Sequence, residues 1–518
     1  MRLPFTFCCM QAGAVRMVML LLLGAAGLVN AQQPVIHFDV TIPENAGHRY
    51  DVEMSISHVP DDTLILHLPR WMPGYYQIMK YGENIDILTA SSATGAVLPV
   101  KRMDANTWQV VKGKLAQIRL RYSVQTVRKF VATSYVDSAH AYLVSTNTFI
   151  YPEGYLQTPV TVRVADGMGW QQVATGLEAI SGTDHLFAAT NFDILYDCPI
   201  LVGNLESLPA FEINGVPHYF TGYQLGQFDR PAFVKALQKV IQAGVDIMGD
   251  IPFEKYTFIA IGPGRGGIEH LNNTTVSFDG NQLNDQAAID RMLAFLAHEY
   301  FHHYNVKRIR PFELGPFDYT KANRTNLLWV SEGFTAYYEY LMLRRAGVID
   351  EKTLLDFFEG IINSHEKDQG KNFQTLQQAS FYTWRDGPFG AQGGKEDRSI
   401  SFYEKGTIMG LLLDFEIRNA TQNSRSLDDV MRLLYGHYYQ KLQRGFTDAE
   451  FQEACEQIAG KSLTHVFEYV YTTKAVDYNA VLKHAGLQLT TEVDKLSISR
   501  LPEINAAQQT MLSSWQSR

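Results

Sequence analysis

Leu296-Ala297-His298-Glu299-Tyr300-Phe301-His302 sets two histidines four residues apart, with a glutamate beside the first, in a window of helical periodicity. On a helix those positions share one face about a turn apart, so both imidazoles can grip one cation while Glu299 points at its open position. The H-E-x-x-H pattern fits zinc. Read alone, it also describes a pair of surface histidines on an ordinary helix. A catalytic zinc takes three protein ligands plus water, and a carboxylate often supplies the third. Glu332, in Leu328-Trp329-Val330-Ser331-Glu332-Gly333-Phe334, leads into the next long helix and is the candidate. The competing reading is a carboxylate that merely complements a helix dipole. Glu339, seven residues on, could share that face, and by default is a solvated or packing carboxylate.

Two further segments carry candidates. Gly264-Arg265-Gly266-Gly267-Ile268-Glu269-His270 puts a carboxylate after glycines that would let backbone approach a ligand closely. No Lys-Ser/Thr follows the glycines, and the acid would repel phosphate, so this is not a phosphate loop; the plain structural reading is a loop or bulge beside a strand at Tyr256 to Ile261. Phe402-Tyr403-Glu404-Lys405-Gly406 opens an apolar helix, where Tyr403 is a packing residue by itself and a hydroxyl donor in combination with the others. Trp71-Met72-Pro73-Gly74-Tyr75-Tyr76 reads on its own as a turn packed with aromatics.

In this order the four motif pieces resemble the glycyl aminopeptidase family of zinc peptidases, gluzincins related to aminopeptidase N and leukotriene-A4 hydrolase. The strongest match is His298 to His302 continuing into Asn305-Val306-Lys307-Arg308-Ile309-Arg310-Pro311; Gly266 to His270, Trp329 to Phe334, Tyr403 to Gly406 and Trp71 to Tyr75 also match. The resemblance spans about residues 35 to 490. It implies one zinc per chain on His298, His302 and Glu332, with Glu299 polarising the attacking water. It also implies that Glu269, beside Gly266 and Gly267, binds a free α-amine, and that Tyr403 donates to the oxyanion. The implied activity is that of an aminopeptidase on peptides with a free N-terminus, with a leaning to glycine or alanine. A zinc endopeptidase and a non-catalytic binding protein on the same scaffold are the rival readings. Two departures stand out: Tyr304 replaces the family's usual tryptophan, and the chain after Gly486 is too short for the PDZ-like domain many members carry.

Composition agrees with a folded, exported protein. Its 518 residues exceed one hydrophobic core, and 46% hydrophobic with 19% charged residues is the balance of a soluble globular chain. Arg2 and Arg16 flank an apolar run from Val18 to Val29 that ends in small residues, which reads as a signal peptide over residues 1–31. No stable membrane insertion is expected after its removal. Losing those two arginines and no acid shifts the net charge from -9 to about -11, which argues against nucleic acid. No protein partner is inferable. Cys198 and Cys455 would remain, as free thiols or one bridge, with both left open.

Short alternating runs from Ile36 to Leu201 predict an all-β sandwich, residues 32–207. The change to helical periodicity predicts an α+β domain over 208–488, mainly helical in its C-terminal part, which the resemblance implies is a thermolysin-like catalytic domain, and residues 489–518 form a short tail. Helical stretches are expected near Ala232 to Met248 and over Ala287 to Lys307, Leu327 to Ala346, Phe402 to Asn419 and Leu427 to Tyr439.

Overall fold

Strict alternation builds the first layer of the fold. In Val35–Ile42 and Arg49–Ser57, Phe38, Val40, Tyr50 and Val52 point inward while Asp39 and Glu53 face outward. The computed structural model describes residues 33–44, 47–126, 129–387, 398–493 and 495–517, and the expected signal segment 1–31 lies outside them. These two strands sit at the centre of an eight-stranded sheet, Val35–Ile42 pairing in parallel with Val160–Asp166. Two four-stranded sheets share its core. One contains Thr63–His67 and Thr107–Val111, the other His140–Leu143 and Ile200–Gly203. The expected sandwich is therefore a large sheet faced by two small ones.

The strands His140–Leu143 and Ile200–Gly203 of the second small sheet are buried on both faces, and their alternation divides them between two cores. Ala141, Leu143, Ile200 and Val202 join the β-domain core, while Tyr142 and Leu201 pack with Ile259, Ile261 and Ile268 of the following domain. Each leucine, isoleucine and valine among them contributes roughly 1.5–3 kcal/mol on burial, so the seam is held like a core. Cys198 lies in the β-domain core and Cys455 in the helical core, both buried and free. They do not pair.

The following domain opens on a six-stranded sheet whose edge strand is Gly267–Glu269, antiparallel to Asn273–Val276. Its helices include Arg230–Met248, Gln286–Phe301, Leu328–Arg345 and Phe402–Ala420. The helix expected to reach Lys307 stops at Phe301. Asn305 donates its side-chain amide to the Val330 and Ser331 carbonyls, and Val306 takes a φ of 141°, so the chain is drawn off the helical path towards the Glu332 segment. The stretch at Leu427 is α-helical only to Leu433 and then widens into a π-helix over Leu434–Lys441. The last residues form a hairpin, Leu487–Glu492 with Lys495–Arg500, and a helix Ala506–Gln516 whose Met511, Leu512 and Trp515 enter the helical core. Among the described residues no helix is long and apolar enough to cross a membrane.

Candidate metal centre and active site

Three helices and one strand edge converge on one point. Asp285 caps the helix Gln286–Phe301 by accepting from the Ala288 amide, and that helix presents His298 and Glu299, with His302 at its C-cap. Glu332 lies in the second turn of Leu328–Arg345 and Tyr403 in the first turn of Phe402–Ala420, which Ser401 caps. Glu332, His302 and Glu299 are all buried.

The hydrogen bonds fix what the imidazoles can do. His298 Nδ1 lies 2.9 Å from Glu339 Oε2, and His302 Nδ1 lies 2.8 Å from the Asn305 carbonyl. Both partners are acceptors, so both Nδ1 atoms carry the proton and both Nε2 atoms keep a lone pair. Those two Nε2 atoms are 3.0 Å apart, with Glu332 Oε2 at 3.1 Å from His302 Nε2 and 3.7 Å from His298 Nε2. With no cation bound, Glu332 raises both imidazoles against their burial, and the charge they then carry holds the Glu332 carboxyl down at about 2 although burial opposes its ionisation; a cation would take the place of those protons on the Nε2 atoms and leave Glu332 an anion. Three electron-pair donors within 4.8 Å of one another, two nitrogens and a carboxylate oxygen, form a set that suits a zinc ion.

Glu299 stands beside this point. Its carboxylate accepts from Thr274 Oγ1 at 3.4 Å, and burial, reinforced by Glu269 and Glu332 against the two histidines, raises its carboxyl to about 7. Gly267 makes room for it: a Cβ there would stand 2.5 Å from Glu299 Oε1. The neighbouring Gly266 holds φ at 88° where the chain turns into the edge strand. Glu269 ends that strand, buried, with Oε1 shielded from solvent and lacking a hydrogen-bond partner. Tyr403 stacks its ring 6.2 Å from His298, and its hydroxyl bonds to Glu332; burial and that carboxylate push the phenol well above its ordinary range.

All eight residues singled out from the sequence thus have a definite place: His298, His302 and Glu332 form the donor set, while Glu299, Gly267, Glu269, Gly266 and Tyr403 surround it. Others escaped that reading. Glu339, a solvated or packing carboxylate by default although its spacing of two turns from Glu332 allows it to share the site's face, is the acceptor for His298. Asn305 ties His302 to the Glu332 helix. Tyr76, read with its turn as packing, is buried close enough to Glu332 and Glu269 that, after burial itself, their charges raise its phenol well above the usual value. Nothing in its local sequence reports that approach.

Comparison with known families matches residues 37–204 to the Peptidase M61 N-terminal domain and residues 291–409 to the M61 glycyl aminopeptidase domain. No curated protein sequence matches the chain. Among solved structures, an aminopeptidase N family protein from Idiomarina loihiensis is 27% identical, with a TM-score of 0.83 over 89% of this chain and 80% of that one. An M1 zinc metallopeptidase from Deinococcus radiodurans, 12% identical, shares the fold with a TM-score of 0.53 over 86% of this chain and 96% of its own. A variant of that protein bound to a Tyr-Ser-Ala substrate gives 0.51 at 12% identity over 86% of this chain and 95% of its own. Both domain matches come from one family, lie in that family's order and together take in more than half of the chain, so this protein belongs to the M61 glycyl aminopeptidase family and is a zinc metallopeptidase.

Proposed function

We propose that the protein is an exported aminopeptidase that removes single residues, small ones such as glycine and alanine by preference, from peptides with a free N-terminus. The observation that carries this reading is Glu269. A buried carboxylate with an unpartnered oxygen beside the donor set is a receptor for an ammonium group, and an N-blocked or internal peptide bond would leave it unpaired. The Tyr-Ser-Ala peptide bound to the Deinococcus radiodurans relative supports peptides as the substrate class. The family's description supports the leaning towards glycine, and the apolar run at the N-terminus supports export.

His298, His302 and Glu332 would hold one zinc per chain, which when bound supplies Lewis acidity and brings the pKa of an adjacent water to about 7. Glu299 takes the proton from the attacking water and returns it to the leaving amine; its burial, which disfavours the bare carboxylate, helps it hold that proton between the two steps. Tyr403 donates its hydroxyl to the oxygen on which negative charge develops, giving up Glu332 as its partner. Glu269 anchors the α-amine and so fixes which bond faces Glu299.

The test combines metal analysis with hydrolysis of glycyl and alanyl chromogenic amides, amine free or acetylated, by wild type and Glu299→Gln. One zinc per chain, cleavage of free-amine substrates only, and a loss of at least about a hundredfold in kcat for the variant are expected. Equal turnover of acetylated substrates would make the protein an endopeptidase. Zinc binding without any turnover would leave a binding protein.

A further inference from the structure

The carboxylate of Glu269 is closed on one side by a residue of the β-domain. Gly74 holds φ at 90°, and a Cβ at that position would stand 2.6 Å from Glu269 Oε2 and 2.9 Å from Glu269 Cδ and Oε1. Its Cα therefore lies within about 4 Å of the carboxylate, given an ordinary carbon–carbon bond. Only a glycine combines that backbone conformation with that approach.

The segment carrying Gly74 is fastened on both flanks. Trp71 is fully buried in the catalytic core, where its indole N–H donates to the Asp318 carbonyl at 2.9 Å and its ring meets Trp384 edge-on at 5.1 Å. On the other side Gln77 donates to the Thr383 carbonyl at 2.7 Å. Between them Tyr75 leans its ring edge-on against Phe130, centroids 5.3 Å apart, on a second β-domain loop. These contacts tie the segment to the catalytic domain on both sides of Gly74.

From this geometry we propose that Pro73-Gly74-Tyr75 is the end wall of the substrate groove, the element that limits the enzyme to one residue beyond the scissile bond. The proposal rests on the aminopeptidase reading, in which Glu269 holds the amine. A further residue would extend the peptide by roughly 3.3–3.6 Å, into the space Gly74 occupies. The β-domain thereby sets substrate length, and the catalytic domain's own residues set the chemistry.

The test uses the full chain, zinc-loaded, with free-amine and acetylated alanyl amides and with tetrapeptides whose products are followed by mass spectrometry. Wild type should release single residues in sequence, and Glu269→Gln should lose the free-amine preference. Gly74→Ala inserts a methyl against Glu269 and should lower the free-to-acetylated selectivity roughly tenfold or more, with zinc content retained. Tyr75→Ala unseats the wall from Phe130 and should make dipeptides appear among the products. Single-residue release and wild-type selectivity in both variants would overturn the wall. Should Gly74→Ala fail to fold, the product lengths of Tyr75→Ala decide. A wild type that cleaves acetylated substrates equally would defeat the aminopeptidase reading instead, a separate and earlier failure.

Discussion

His298 and His302 are legible from spacing alone, but what makes them ligands is the proton on each Nδ1, and the partners that hold it come from outside the motif. Glu339 fixes His298 from the next helix, and the Asn305 carbonyl fixes His302 from the loop behind it. Replacing Glu339 by alanine removes the acceptor, frees the imidazole to rotate or change tautomer, and should weaken zinc binding about 10–100-fold. Glu339→Gln keeps an acceptor without its charge and should fall between that variant and wild type. Competition against a chelator of known affinity measures both, and an unchanged zinc affinity in the alanine variant would deny Glu339 this role. Residues at helical spacing within one element could be found from the sequence. Gly74 could not, because its approach to Glu269 joins residues almost two hundred positions apart, and no local pattern encodes that.

Between elements, the relation that places Glu332 against Tyr403 is a glycine-to-glycine crossing. The helices Leu328–Arg345 and Phe402–Ala420 touch at Gly333 and Gly406: a Cβ on Gly333 would stand 2.4 Å from Gly406 Cα, and one on Gly406 would stand 2.6 Å from the Trp329 carbonyl. Both obstacles are backbone, which cannot swing aside. Gly333→Ala should therefore force the helices apart, cost about 1–3 kcal/mol of stability and reduce activity together with it. Gly360 offers the contrast within the same domain. It is exposed in the helix Glu351–Lys367 with open space around its Cα, so Gly360→Ala should stabilise by roughly 0.5–1 kcal/mol through helix propensity alone. Thermal unfolding of the two variants should move in opposite directions. Periodicity located Leu328–Arg345 and Phe402–Ala420 to within a residue or two and did not single out Glu351–Lys367. It missed the early stop at Phe301, because side-chain bonds from Asn305 to a different helix, rather than local preference, end it.

At the scale of the whole molecule, the order of a β-rich part before a helical part was readable from the change of period, whereas the sharing of one sheet by two cores was not. A strand buried on both faces reads as a plain apolar run, as Ile200-Leu201-Val202 does. The interior of the fold also traps polar groups. His140 on the shared sheet, His218 on the catalytic sheet and His365 among the helices are all nearly inaccessible, and burial is the largest cause holding them at about 3, about 4 and about 4 respectively. In the unfolded chain an imidazole titrates near 6.5. Above that pH both states are neutral and these histidines give no pH dependence. As pH falls below it, the unfolded chain takes up protons that the folded one refuses, so stability is fully present above about 6.5 and is lost on acidification towards the folded values, by about 1.4 kcal/mol per pH unit for each histidine. By pH 5 each should cost about 2 kcal/mol. Thermal midpoints should thus stay level from pH 8 to 7 and fall steeply from 6.5 to 5. The metal ligands also respond to acid, but they are common to wild type and His365→Gln, so the difference between the two isolates one buried imidazole. That variant should show a shallower decline by about one proton; a slope identical to wild type would mean that His365 is protonated in the folded protein.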